Sequence, residues 1–227
     1  MPRLLLIILL ATTCSLAPAG AQEKKARTIQ GWGEVVDPAG DCKIAEDNGR
    51  LTITVPGTQH NLNPLPGWNN MLAPRVLQPV EGDFTAVVKA RVFKRPEANT
   101  STNKEKPHSF VAGGLVIWQD AKNYLRCMRA ANGERGDVFI SIEGFADGQM
   151  ITSGGAPLDD QDTYLRVQRK NGRLTYATSS DGQKWQDRRP PGKALTLAAK
   201  VQVGVAVVNA TNREITHEFE GLQVGKR

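Results

Sequence analysis

The sequence predicts an all-β protein, a sandwich of two antiparallel sheets, and three observations carry that reading. Apolar and polar residues alternate in Leu51–Val55 (LTITV) and Phe84–Val92 (FTAVVKARV). A period of two marks a strand buried on one face. Turn signals recur at short spacing, with Asn171-Gly172 and Asp181-Gly182 foremost, because glycine tolerates the positive φ of a hairpin. No window of a dozen residues carries a helical stripe. Many short, closely spaced strands build a sandwich or a barrel.

Residues 1–21 read as a signal peptide. Arg3 supplies the positive start, Leu4–Ala11 the apolar core and Ala19-Gly20-Ala21 the cleavage site, so the mature chain begins at Gln22. Thr12, Thr13 and Pro18 interrupt the apolar run, which is too short to cross a bilayer, where about 20 apolar residues are needed. A lipid anchor on Cys14 is the alternative, and Thr12-Thr13 matches such sites poorly. The product is expected to be secreted or periplasmic, without membrane insertion. Residues 22–30 (QEKKARTIQ) are a polar lead-in expected to be mobile, and residues 31–227 a single domain.

After Leu51–Val55 and Phe84–Val92, strands are expected at Gly114–Trp118, Tyr124–Met128, Val138–Glu143, Tyr164–Arg169, Leu174–Thr178, Val201–Val208 and Ile215–Val224. Val201–Val208 (VQVGVAVV) is nearly all apolar, as a strand covered on both faces would be. Asn99–Pro107 (NTSTNKEKP) reads as an exposed loop, and Asn99-Thr100-Ser101 and Asn209-Ala210-Thr211 fit the glycosylation pattern.

The net charge is +6. It permits an acidic polysaccharide partner without demanding one. The basic residues are scattered along strands and form no nucleic-acid-reading motif. Two cysteines lie beyond the signal, Cys42 and Cys127. In an oxidising compartment they can pair as a disulfide; otherwise they are small buried hydrophobes.

Several segments resemble a family of exported bacterial domains of unknown function. They are Asp37-Pro38-Ala39-Gly40-Asp41-Cys42, Leu51–His60 (LTITVPGTQH), Ala73–Leu77 (APRVL), Val80–Phe84 (VEGDF), Gly113–Trp118 (GGLVIW), Asn123–Arg126 (NYLR) and Ser180–Trp185 (SDGQKW). The resemblance implies export and a concanavalin A-like, lectin- and glucanase-type jelly-roll β-sandwich. It implies no settled activity, so function must come from the site. Ser180–Trp185 also resembles the Asp-box-like turn of sialidases and sandwich lectins, where the Trp is a hydrophobic plug.

The sequence points away from catalysis. Laminarinase-type relatives carry Glu-x-Asp-x-x-Glu on one strand, and that pattern is missing here. The nearest pair is Glu218/Glu220, about 6.5–7 Å apart along one strand face; the competing reading is an edge strand made polar to block aggregation. His60, His108 and His217 show no ligand spacing for zinc. Asp159, Asp160 and Asp162 are an alternative for a structural calcium; otherwise no cofactor is expected. No nucleophile elbow or phosphate loop occurs, and Gly113-Gly114 reads as close packing.

Sugar binding asks for less: aromatic faces for C–H surfaces, and amides, Arg or His for hydroxyl edges. The segment His60–Arg75 (HNLNPLPGWNNMLAPR) supplies His60, Trp68, Asn70 and Arg75. Trp118 and Tyr124 flank a turn, and Arg126 shares a strand face with Tyr124. These seven residues are the candidate ligand site, with an internal stack or salt bridge as the other reading of Tyr124 and Arg126. The leading function is a non-catalytic glycan-binding domain. The alternatives are a carbohydrate-active enzyme of the same fold, hydrolysing or processing keto-sugars, and a protein-interaction domain.

Overall fold

A computed structural model describes residues 27–226; the expected signal peptide lies outside them. In chain order the strands are β1 Thr28–Ile29, β2 Gly33–Val36, β3 Lys43–Asp47, β4 Arg50–Val55, β5 Arg75–Glu81, β6 Phe84–Ala90, β7 Phe110–Trp118 and β8 Tyr124–Asn132. Then come β9 Val138–Ala146, β10 Gln149–Pro157, β11 Thr163–Lys170, β12 Arg173–Ser179, β13 Gln186–Arg188, β14 Lys200–Asn209 and β15 Ile215–Lys226. No helix occurs among the described residues, and so none long and apolar enough to cross a membrane.

The strands form two wholly antiparallel sheets. The eight-stranded sheet runs β1-β2-β5-β14-β7-β8-β9-β10 and the seven-stranded sheet β13-β12-β11-β6-β15-β4-β3. Alternation decides what lies between them. Leu51, Ile53 and Val55 of β4, Phe84, Ala86, Val88 and Ala90 of β6, Leu165 and Val167 of β11, and Val201, Val203, Val205 and Val207 of β14 share one core. The expected concanavalin A-like sandwich is the observed fold.

The outer face of the eight-stranded sheet is also covered. Leu62 and Ala73, from the segment before β5, pack there on Leu77, Phe110, Ala112, Val116, Tyr124, Met128, Phe145, Ala206 and Val208. This is why β14 reads as apolar on both faces: Val205 points into the sandwich and Ala206 under the loop.

Four expectations change. Thr28 and Ile29, placed in the mobile lead-in, pair with Glu34 and Gly33. Strand β15 is no edge: it lies between β4 and β6. The Asn99–Pro107 segment is the expected loop, exposed at Asn99 and Lys104–Pro107, but it is tied down at Thr100 and Asn103, which are buried, Asn103 Nδ2 donating to Gly67 O at 2.9 Å. The Cys42–Cys127 link is not formed. Both thiols are free; Cys127 is wholly buried in the core, while Cys42 sits just before β3, where burial and the Asp37 and Asp41 carboxylates push its thiol up. Of the two glycosylation patterns, Asn209 is fully buried, its Nδ2 donating to Pro56 O and Arg213 O, each at 2.8 Å.

Candidate functional site

The segment from His60 to Arg75 lies across the outer face of the eight-stranded sheet, and its own amides shape it. Asn70 Oδ1 accepts from the Asn61 (2.7 Å) and Leu72 (3.1 Å) amides, while Asn70 Nδ2 donates to Gln59 O (3.0 Å). His60 exchanges backbone hydrogen bonds with Asn209, 2.8 Å each way. Its Nε2 lies 2.9 Å from Asp41 Oδ1. Asn70 and His60 are therefore engaged in holding the loop.

Under the loop the sheet presents a stack. The Trp118 and Tyr124 rings are 5.1 Å apart and Tyr124 and Phe145 4.7 Å. The Arg75 guanidinium sits 4.3 Å from the centre of the Trp118 ring, and burial brings Arg75 down to about 10. The Tyr124 hydroxyl donates to Leu62 O at 2.9 Å. Arg126 Nη1 donates to Asn61 Oδ1 (3.1 Å) and Leu62 O (3.0 Å), and its Nε (2.9 Å) and Nη2 both reach Glu143 Oε2. The structure thus brings Arg75, Trp118, Tyr124 and Arg126 together. Tyr124 is fully buried and Arg126 nearly so, which is the internal stack and salt bridge. Trp118 alone of the four is half-exposed.

Beside the stack the face opens. Phe139, Ser141, Glu143 and Phe145 alternate outward along β9, and Pro157, Gly155 and Ser153 of β10 stand opposite the first three in register. Gly155 has no side chain to cover this floor; a Cβ there would press on Ile140 O at 2.7 Å and the Phe139 ring at 3.2 Å. Glu143 Oε2 is taken by Arg126, leaving Oε1 with Ser141 Oγ at 3.4 Å. Half-exposed Trp68, His108 and Phe139 border the opening, with Phe110 buried between them. Trp68 meets His108 edge-on at 6.4 Å, His108 stacks on Phe110 at 5.5 Å, and Phe110 meets Phe139 at 6.3 Å. Lys106 Nζ donates to Pro66 O at 2.9 Å and lies 5.9 Å from the Trp68 ring, so the 99–107 and 60–75 segments form one rim.

Burial lowers the His108 imidazole below its usual value, so it is neutral at neutral pH. Asn132 Nδ2 lies 2.9 Å from His108 Nδ1. The same amide lies 3.2 Å from Nε2, so Asn132 is the donor that faces this neutral ring. The opening thus combines aromatic faces, a neutral imidazole and a carboxylate acceptor whose charge is matched by Arg126. That set can hold the C–H face and hydroxyl edge of a sugar.

His108, Phe139, Ser141 and Glu143 were not among the sequence candidates. Their signal was the period-two pattern of Val138–Glu143, which puts Phe139, Ser141 and Glu143 on one face.

The other candidates lie elsewhere. Glu218 and Glu220 sit on the outer face of the seven-stranded sheet inside an ion-pair cluster. Arg50 reaches Glu218 at 3.5 Å and Glu220 at 3.1 Å, and Lys89 and Arg91 reach Glu220 at 3.5 and 3.3 Å. Both carboxylates are thus engaged as ion-pair partners. Asp160 is bound by Arg129 (2.7 Å) and Asp162 by Lys89 (3.1 Å) and Arg91 (3.3 Å). Asp159 contributes its carbonyl to Arg129 at 3.2 Å. The three aspartates do not converge as calcium ligands among the described residues, because basic side chains draw them apart. Trp185 is half-buried, with the Arg166 guanidinium 4.4 Å from its ring. A separate cleft of about 540 Å3 at the margin of the sandwich is lined by Arg173, Tyr176, Arg188, Arg189 and Lys193 with Asp187.

Comparison with known proteins places the fold. A functionally unknown protein from Saccharomyces cerevisiae superposes with a TM-score of 0.68 at 16% identity, over 86% of this chain and 97% of that one. The GH43 protein BlXynB from Bacillus licheniformis gives 0.59 at 14% identity over 82% of this chain, which spans only 34% of the larger protein. The carbohydrate-binding module CBM66 from Bacillus subtilis gives 0.52 at 12% identity, over 88% of this chain and all of the module. At these identities the likeness is one of fold. No curated protein matches the sequence. A family model, described as protein of unknown function (DUF1349), matches residues 41–227, the stretch that holds both the covering loop and the open face, and the chain belongs to that family.

Proposed function

We propose that this protein binds a glycan without cleaving it, on the open face bordered by Trp68, His108 and Phe139 over Ser141 and Glu143. The observation that carries the reading is the half-exposed aromatic rim set against a carboxylate whose second oxygen has Ser141 Oγ at 3.4 Å. Because Arg126 offsets Glu143 locally, the face suits a neutral sugar better than an acidic one. The likeness to a carbohydrate-binding module supports this reading through fold alone. We also read residues 1–21 as a removable export signal, which would place the protein where extracellular polysaccharide is met.

A glycan array of neutral and acidic polysaccharides, read with the purified chain, tests this. Binding to a neutral class is expected. Aromatic anchors carry about 2 kcal/mol or more, so Trp68→Ala and Phe139→Ala are each expected to weaken binding roughly thirtyfold with the melting temperature nearly unchanged. Absence of binding across the array, or full binding by both variants, would overturn the reading.

A further inference from the structure

We infer that Asp41, Cys42 and His60 form a binding site for a zinc-class divalent metal, which fastens the turn before β3 to the root of the covering loop. Asp41 Oδ1, Cys42 Sγ and His60 Nε2 all lie within 4.8 Å of one another. The closest pairs are His60 Nε2 to Asp41 Oδ1 at 2.9 Å and Cys42 Sγ to Asp41 Oδ1 at 3.6 Å. One atom near their centre would touch all three after small side-chain rotations.

The chain is built to hold this arrangement. Asp37 Oδ1 accepts from the Gly40 amide (3.1 Å) and Oδ2 from the Cys42 amide (3.0 Å). That closed turn presents Asp41 and Cys42 to the same side. His60 arrives from the opposite side, nearly buried, its backbone paired with Asn209. His60 Nδ1 lies 3.2 Å from Thr58 O. An imidazole that donates there from Nδ1 leaves the Nε2 lone pair facing Asp41 and Cys42. A carbonyl behind the ring is the usual support of a metal-bound histidine.

The donor types select the metal. One sulfur, one imidazole nitrogen and one carboxylate oxygen match the tetrahedral preference of Zn2+ and its thiolate-accepting relatives rather than hard Ca2+ or Mg2+. Asp41 is exposed, so a water completes the fourth position. On binding, the Cys42 thiol proton passes to solvent and the thiolate takes its place on the metal.

Cobalt(II) is the probe, because a cobalt–thiolate bond absorbs in the near ultraviolet. The purified full-length chain, stripped with chelator and titrated with Co2+, is expected to show that band saturating at one equivalent, and added Zn2+ to abolish it. Cys127→Ser is expected to keep the band. Cys42→Ser is expected to lose it, with Co2+ affinity falling at least about a hundredfold, beyond the loss from removing only a supporting group. Asp41→Asn alters an exposed side chain, so it keeps the test open if His60→Gln fails to fold; it is expected to weaken Co2+ at least tenfold. Zn2+ is also expected to raise the melting temperature of the wild type but not of Cys42→Ser. No thiolate band in the wild type, or an unchanged band in Cys42→Ser, would overturn the inference.

Discussion

At the scale of single residues, Gly113 and His217 illustrate how one position fixes another. His217 points into the sandwich, nearly buried, with its ring 4.1 Å from Phe93 and 6.3 Å from Phe219. A Cβ on Gly113 would fall on the His217 ring, so this glycine makes room for an imidazole. The sequence reading of Gly113-Gly114 as close packing rested on the same physics. Burial, helped by Arg129, pushes His217 from 6.5 down to about 3. Between those values the unfolded chain binds a proton that the folded chain refuses. Its contribution to stability is therefore complete above about pH 6.5 and is lost as pH falls toward 3. From pH 7 to pH 5 this one group is expected to cost about 2 kcal/mol. Urea unfolding of wild type and His217→Leu at both pH values checks it: the difference between the two proteins is expected to shift by that amount in favour of the variant at pH 5. An unchanged difference would mean that His217 takes up its proton in the folded state.

At the scale of elements, Arg169 ties the two sheets at one end. Its Nε donates to Gly82 O (2.7 Å), Nη1 to Ala198 O (2.8 Å) and Nη2 to Ala199 O (2.6 Å). Gly82 lies in the turn from β5 to β6, and Ala198 and Ala199 lead into β14, so one side chain of β11 satisfies carbonyls on both sides of the sandwich. Arg169→Met would remove the guanidinium donor from all three carbonyls, Ala199 O keeping only the Gly82 amide (3.1 Å), at about 3 kcal/mol or more. In a domain of this size that lowers the melting temperature by roughly 6–12 °C. Arg169→Lys is expected to recover only part of the loss, since a point-like ammonium cannot span the fork. Calorimetry of the three proteins decides it.

Strands β4, β6, β11, β12 and β14 were legible in the sequence because one face of each is apolar, or in β14 both. Strand β5 was not, because Pro79 interrupts Arg75–Glu81. The proline is tolerated because β2 pairs with β5 only as far as Leu77, so no partner needs an amide hydrogen at position 79. Strand β10 (QMITSGGAP) carries almost no alternation, although Asp147-Gly148 before it has the paired positive φ of a hairpin, 50° and 76°. Asn48-Gly49 marks the β3–β4 turn in the same way, with 51° and 79°. In the candidate site, spacing put Tyr124 and Arg126 on one face. It did not show that the His60–Arg75 segment covers them, because that depends on where Leu62 and Ala73 find apolar partners across the sheet.

At the scale of the whole molecule, an open sandwich has four edge strands, each offering unpaired amides and carbonyls to another copy. Here β1 has two residues and β13 three, too short to template much. Strand β3 is blunted by Lys43, Glu46 and Asp47. Strand β10 is long, and a strap around Pro190-Pro191-Gly192 covers part of it: the Ser153 amide donates to Pro191 O (3.2 Å) and the Lys193 amide to Ile151 O (2.9 Å). Neither proline has an amide hydrogen to offer onward. Gly192 lets the strap lie close, at φ 118°, where a Cβ would strike the backbone of Ile151. Gly192→Ala is expected to lift the strap, speeding hydrogen exchange at the Ser153 and Lys193 amides and producing light-scattering species at high protein concentration. Unchanged exchange would mean that the strap holds without its glycine. With the strap seated, the sheet cannot lengthen by recruiting a neighbour along this part of the margin. Crowding, more than heat, is then the stress this short run of residues guards against, and the molecule can be packed densely while its copies remain strangers to one another.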